Sequence, residues 1–278
     1  MFADPGNRPR LDSVEIRVTF SGTDAAAALR TLAPDHGGAR RRVYFCEAVT
    51  HFPYTPGTLA HSRTTPGLPL MDAGVTLRLR VGSGRGGGGD ATAVLRPCRT
   101  SRITEHWLGF RAQGPDSLRL GGDWSGENRV LAASFACDCG RTAVEAVTSG
   151  GAPPATAFSG RQRAFLAECA DVRVGPGDLA VLGPVLTQRW SGVRLDHHRV
   201  RLERWSLRGS EPMEWFEVSE RVAPEGAEVV QASLTVLLRG QGLEPDLAPK
   251  PLTRRVLEAL ALGTRVPGHG LGVPGRRG

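Results

Sequence analysis

The residues best suited to chemistry are arginines and glutamates that fall on alternate positions of extended segments. Glu15, Arg17 and Thr19 share one parity in VEIRVTF, Arg78 and Arg80 in GVTLRLRV, and Thr92, Val94 and Arg96 in TAVLRP. Gly109, Arg111 and Gln113 do so in WLGFRAQ, then Arg199, Arg201, Glu203 and Trp205, and finally Trp215, Glu217, Ser219 and Arg221. Strand residues two apart look the same way, so each row puts charge on one face and an apolar set, such as Val14, Ile16 and Val18, on the other. Guanidinium groups stay charged at all accessible pH and grip phosphate or carboxylate through paired hydrogen bonds. With the charged rows inward and the apolar faces packed on helices, the pattern predicts a closed or nearly closed sheet around a hydrated, positive lumen. Such a lumen selects a compact polyanion.

The elements that must carry these rows are mostly strands. Besides those quoted, RRVYFCE from Arg41, VLAASFAC from Val130 and PVLTQRW from Pro184 alternate with period two, which predicts a largely antiparallel sheet system. Helices are predicted over TDAAAALRTLA from Thr23, SGRQRAFLAEC from Ser159, PEGAEVVQASLTVLLRG from Pro224 and PLTRRVLEALALG from Pro251, each punctuated by a cap, a proline or a glycine. One domain is expected over 13–262, between flexible ends at 1–12 and 263–278. The irregular stretch 51–69 reads as a flap over one tunnel mouth.

Composition narrows the partners. The 278 residues carry a net charge of +7, and the pI near 9.9 favours anions. All but one of the 35 basic residues are arginine, the exception being Lys250, so a titrating lysine base is nearly excluded. The glycine-rich 82–90 lacks the Gly-Lys-Ser/Thr ending of a phosphate loop and is followed by a strand, so it reads as a hairpin connection. Five cysteines, with a lone Cys137-x-Cys139 and no apolar leader, indicate free thiols in a reducing, cytoplasmic setting rather than a zinc site. No run is long enough for a membrane span. The basic residues are dispersed through strands, without the aromatic stacking motifs of a nucleic-acid reader. His197 and His198, being adjacent, are expected to face opposite ways on a strand and so not to share one ligand.

Taken in order, VEIRVTF, VYFCE, LMDAGVTLRLRV, DATAVLRP, HWLGFRAQ, SGRQRAFLAEC with LAVLGPVLTQRW, LERW and FEVSERV resemble the CYTH group, the triphosphate tunnel metalloenzymes. That group includes class IV adenylate cyclase, thiamine triphosphatase and inorganic triphosphatases. The resemblance implies an α+β fold: an eight-stranded antiparallel β-barrel with helices packed outside. It implies inward basic residues that hold a triphosphate and inward glutamates that hold Mg²⁺ or Mn²⁺. Carried over by position, Glu15 matches the second acid of the opening Glu-x-Glu-x-Lys signature and Arg17 stands at its lysine; with Glu217 they are the candidate catalytic residues. Arg78, Arg80, Arg96, Arg111, Arg189, Arg201 and Arg221 are the candidate substrate ligands, and Glu15, Glu203 and Glu217 the candidate metal ligands. Ser13, Val94 and Gln113 depart from the pattern, each removing a charge. Eight arginines against three glutamates predict a weak cation site, because arginine both repels the cation and pairs with its ligands.

The function expected is metal-dependent hydrolysis of a triphosphate or organic phosphoanhydride. The alternatives are a metal-independent biosynthetic enzyme of cyclase or lyase type on an organic anion, and a non-catalytic binder of nucleotide or polyphosphate. A small phosphorylated anion is the partner in each phosphate reading, with the chain a monomer or homodimer.

Overall fold

The computed structural model describes residues 11–34, 37–48, 67–83, 87–173, 175, 177–208, 212–246 and 250–263. Most of the expected flap and of the two flexible ends lies outside the described residues. Among the described residues there are ten strands: β1 Ser13–Ser21, β2 Ala39–Glu47, β3 Val75–Gly82, β4 Gly89–Leu95, β5 Ala112–Gln113, β6 Asp116–Ser125, β7 Asn128–Asp138, β8 Ala180–Leu195, β9 His198–Leu207 and β10 Met213–Val222. Their order is β1-β10-β9-β8-β2-β3-β4-β7-β6, with the two-residue β5 added beside the start of β6. A parallel pairing of β1 with β6, from Ser13 opposite Gly121 to Arg17 opposite Ser125, closes the ring.

The barrel therefore has nine strands, not the eight of the purely antiparallel expectation. An odd ring of alternating strands must contain one parallel seam, and β1–β6 is that seam. The extra wall strand is β6, whose sequence DSLRLGGDWS carries two glycines where a strand is expected to weaken. The seam explains one of them. A Cβ on Gly121 would lie 2.7 Å from the backbone oxygen of Ser13, so only glycine lets β1 approach this closely.

WLGFRAQ is corrected as well. Its residues form a short helix, Glu105–Gly109, and then the two-residue β5. Trp107 and Phe110 are three apart and turn the same way into one aromatic cluster with Phe135 and Phe165, at centroid distances of 5.4–5.8 Å. The alternation was coincident with a helical spacing, and packing decided for the helix.

Among the described residues seven α-helices clothe the ring: α1 Gly22–Leu32, α2 Pro69–Asp72, α3 Glu105–Gly109, α4 Arg141–Thr148, α5 Gly160–Cys169, α6 Ala227–Gly240 and α7 Leu252–Gly263. Each covers an outward apolar face. Val144 and Val147 of α4 with Phe165 and Leu166 of α5 pack on Leu77, Leu79, Ala93 and Phe135. Ala28 of α1 with Leu234 and Leu238 of α6 pack on Ile16, Leu202 and Val218. Val256, Leu257 and Leu260 of α7 pack on Val43, Phe45 and Val185. Each buried large side chain contributes about 1.5–3 kcal/mol, so the outer faces stabilise the wall and leave the inner face free to be polar. α5 is set by a capping box between Ser159 and Gln162, and the buried Gln162 amide donates to the carbonyls of Ala91 and Phe135 on the wall. Among the described residues no helix is long and apolar enough to cross a membrane.

Candidate anion-binding tunnel

Parity delivers the charged rows to a single cavity of about 300 Å³ inside the ring. Its lining includes Glu15 and Arg17 from β1, Arg78 and Arg80 from β3, and Arg96 just past β4. Arg189 from β8, Arg201 and Glu203 from β9, and Glu217 and Arg221 from β10 complete the set placed there from sequence. Ser13 and Val94 are on the lining too, at the positions where charges were noted as missing.

Arg111 is not part of it. Its guanidinium donates to the carbonyls of Leu108 and Phe110, 2.6 Å each, and so satisfies the end of α3 outside the barrel. The reason is the helix: once 105–109 coils, Arg111 no longer shares a strand face with the wall. Gln113, on β5, is likewise absent from the lining. Arg111→Ala is therefore expected to leave tripolyphosphate affinity unchanged in calorimetry, whereas Arg96→Ala lowers it; equal losses would return Arg111 to the site.

β6 supplies the two charged lining residues that sequence reasoning missed, Arg119 and Asp123. The signal was present as alternation in Leu118, Arg119, Leu120, but the glycine pair behind it read as a break. Asp123 is the main internal tie of the tunnel. It accepts from Arg17 Nε at 3.2 Å and from Arg96 at 2.9 Å, joining β1 and the end of β4 through the seam strand.

The remaining ion pairs follow strand register. Glu15 stands opposite Arg221 and accepts from its Nε at 2.7 Å, and from Arg201 at 3.0 Å. Glu203 stands opposite Arg189 and is bound by it at 3.2 Å. Arg17 reaches Glu217 at 2.8 Å. Arg80 stands opposite Asp90 and is bound to it at 2.7 Å, while Arg78 stands opposite Thr92, which offers no charge. Among the described residues Arg78 makes no ion pair within 4 Å.

The electrostatics reflect this uneven pairing. Burial works to raise the carboxyl pKa values of Glu15 and Asp123, but Arg17, Arg221 and Arg201 at the first, and Arg17 and Arg96 at the second, hold both below the usual carboxylate range. Burial alone would lower the Arg17 pKa, and the surrounding carboxylates Asp123, Glu217, Glu15 and Glu203 outweigh it and raise it. Glu217 goes the other way. Burial raises its pKa, and Glu203, directly opposite on β9, adds to the rise against the pull of Arg17. Burial beside Arg80 pushes the Arg78 guanidinium down to about 9.

Eight arginines line the cavity against four carboxylates, Glu15, Asp123, Glu203 and Glu217. Positive charge is in excess even after every acid is counted. Three buried donors on the lining, Arg78 Nε, Arg189 Nε and Trp205 Nε1, have no acceptor among the described residues. Buried donors of this kind can be met by an acceptor-rich ligand, and phosphate oxygens are such acceptors.

A cation held by the protein alone does not fit. Among the described residues no three acid, histidine or cysteine side chains converge on one point. Glu15, Glu203 and Glu217 are each engaged by arginine, and Glu15 is four positions along β1 from Thr19, the residue opposite Glu217. The three do not form the joint metal site that the resemblance implied.

A closed barrel with charged interior and helix-covered exterior defines the architectural class. A protein from Hippeastrum, assigned as an adenylyl cyclase and described as having a dominant triphosphatase activity, superposes with a TM-score of 0.52 at 13% identity, over 89% of this chain and 96% of its own. A protein from Bacillus halodurans assigned as an adenylate cyclase gives 0.50 at 10% identity, over 89% of this chain and 98% of its own. No family model and no curated protein matches the sequence. The chain shares the fold of these two proteins, a closed barrel with helices outside, as the ordered motifs implied in outline.

Proposed function

We propose that the tunnel binds a triphosphate-bearing small molecule through its arginines and hydrolyses a phosphoanhydride bond of that molecule. The observation that carries the reading is the set of buried, acceptorless donors, Arg78 Nε foremost, in a cavity with more arginines than acids. Arg groups around the phosphates neutralise charge that builds on the transferring phosphoryl group, a role guanidinium performs well in phosphoryl transfer. Glu217 is the candidate base. Its carboxyl is buried, faces Glu203, and has its pKa raised, which suits it to take a proton from the attacking water at near-neutral pH. Glu15 and Arg17 position the wall rather than touch the reacting phosphorus, since Glu15 is held by Arg201 and Arg221 and Arg17 by Asp123 and Glu217.

Calorimetry with tripolyphosphate, with and without Mn²⁺, tests the binding half. Binding without the cation is expected, because the acceptors are met by arginine alone; binding that requires Mn²⁺ would restore the cation-dependent reading. Phosphate release tests the other half. Glu217→Gln is expected to abolish release while retaining affinity, and in the unchanged protein release should fall as pH drops through a value above the ordinary glutamate range. A second reading, a non-catalytic polyphosphate binder, is favoured by the lack of converging cation ligands, and it predicts binding without release.

A further inference from the structure

The outer surface of α6 carries a row of side chains that the fold leaves uncovered. Val229 and Val236 are 72% and 71% exposed, whereas Leu11, Met213 and Leu262, the other exposed large apolar residues among those described, stand at 37–41%. Ala232 is exposed between the two valines. Positions 229, 232 and 236 follow the three- and four-residue steps of one helix face, so the three form a single row. The buried Ala227, Leu234 and Leu238 lie on the other side and hold the helix to the wall. Valine is a poorer helix former than alanine or the charged residues of an ordinary solvated face, so helix propensity gives no reason for two of them here.

The polar side chains bordering the row are engaged within the molecule. On one flank Ser233 Oγ lies 3.0 Å from His197 Nε2 and 3.1 Å from His198 Nε2, where β8 turns into β9. On the other, Gln231 donates to the carbonyl of Gly126 at 2.7 Å and Glu228 accepts from Arg129. α6 is therefore held at both edges, with its apolar row facing away from the barrel. A face fixed in this way loses little conformational freedom when it is covered.

Charge at the two ends of the row says what covers it. Glu225 stands in the turn just before α6, and Arg239 in its last turn. Both are exposed, and neither makes an ion pair within 4 Å among the described residues. The order along the row is acid, valine, alanine, valine, base. Val229 and Val236 lie three and four residues either side of Ala232, and Glu225 and Arg239 lie seven either side. Turned end for end about Ala232, the row matches itself: valine meets valine, and Glu225 of each copy meets Arg239 of the other. A lipid surface would call for a basic rim, which a row bounded by one acid and one base does not supply.

We propose that this chain forms a homodimer through α6, two copies packed antiparallel about a two-fold axis at Ala232. The small central residue lets the helix axes approach to about 8–10 Å. Antiparallel packing also sets the positive N-terminal end of each helix beside the negative C-terminal end of the other. The contact is isologous, so every pair in it occurs twice. A helix of 14 residues is only about 21 Å long and offers part of the ~1,200 Å² that a stable complex buries, so the dimer exchanges with monomer.

Sedimentation equilibrium of the full chain, from about 10 µM to about 500 µM, tests this, and monomer and dimer in exchange are expected. Arg239→Glu alone and Glu225→Arg alone should each weaken association by about tenfold or more, because the two-fold repeats each like-charge contact. The double variant restores opposite charges and should return to within about threefold of the unchanged protein. Val236→Lys should be monomeric throughout with its thermal midpoint unmoved, since the side chain is 71% exposed in its own chain. A monomer at every concentration would overturn the proposal. So would association that neither charge reversal weakens, or a double variant as weak as the single ones, because each places the contact elsewhere.

Discussion

Replacing Arg78 by methionine is expected to weaken tripolyphosphate binding by about 10- to 100-fold while raising the thermal midpoint. Both signs come from one fact: the side chain is packed against Arg80 and owns no carboxylate. Hydrogen bonds to a charged group contribute about 1.5–3 kcal/mol, which converts to the stated loss. Removing an uncompensated cation from beside another relieves repulsion and desolvation, so the unliganded fold gains. Methionine keeps the unbranched stem and its contacts with the wall. Calorimetry and thermal unfolding on the same sample read the two effects, and a variant that loses stability along with affinity would mean that Arg78 is a structural residue.

Asp123→Asn is expected to have the largest effect on stability, about 3 kcal/mol, the low end of the range for breaking a buried ion pair because the Arg17 side chain is 30% exposed. The loss should be seen as a lower denaturant midpoint with little change in slope. pH supplies an independent check. Arg17 and Arg96 hold the Asp123 carboxyl below its ordinary range, against burial, so the stabilisation is present above the ordinary aspartate range and lost as pH falls through the folded value. Glu15, held low by Arg17, Arg221 and Arg201, loses its contribution in the same direction. Asp123→Asn should therefore flatten the acid limb of the stability profile without abolishing it. An unchanged acid limb would show that the seam is not held by this carboxylate.

Much of the tunnel was legible because strand geometry reduces inward and outward to parity. Glu15 with Arg17, Arg78 with Arg80, Arg201 with Glu203, and Glu217 with Arg221 needed nothing beyond alternation to be placed on shared faces. What parity does not contain is register, and register decides the chemistry: it gives Asp90 to Arg80, leaves Arg78 beside Thr92, and sets Glu217 against Glu203. β6 was hidden by Gly121 and Gly122, which signal a break in isolation, although the close parallel seam requires the first of them. Arg111 was misplaced because Trp107 and Phe110 satisfy a helical contact that alternation also mimics. The expectation that His197 and His198 face opposite ways failed at a two-residue turn: one left-handed residue at Asp196 moves His197 off the strand and leaves the two rings 4.1 Å apart.

A crystal structure of the full chain grown with tripolyphosphate and without divalent cations tests the central claim most directly. The account predicts phosphate oxygens inside the ring, within hydrogen-bond distance of Arg78 and Arg189. An anion bound only on the outer surface at saturating concentration, with the interior arginines paired as they are now, would contradict it.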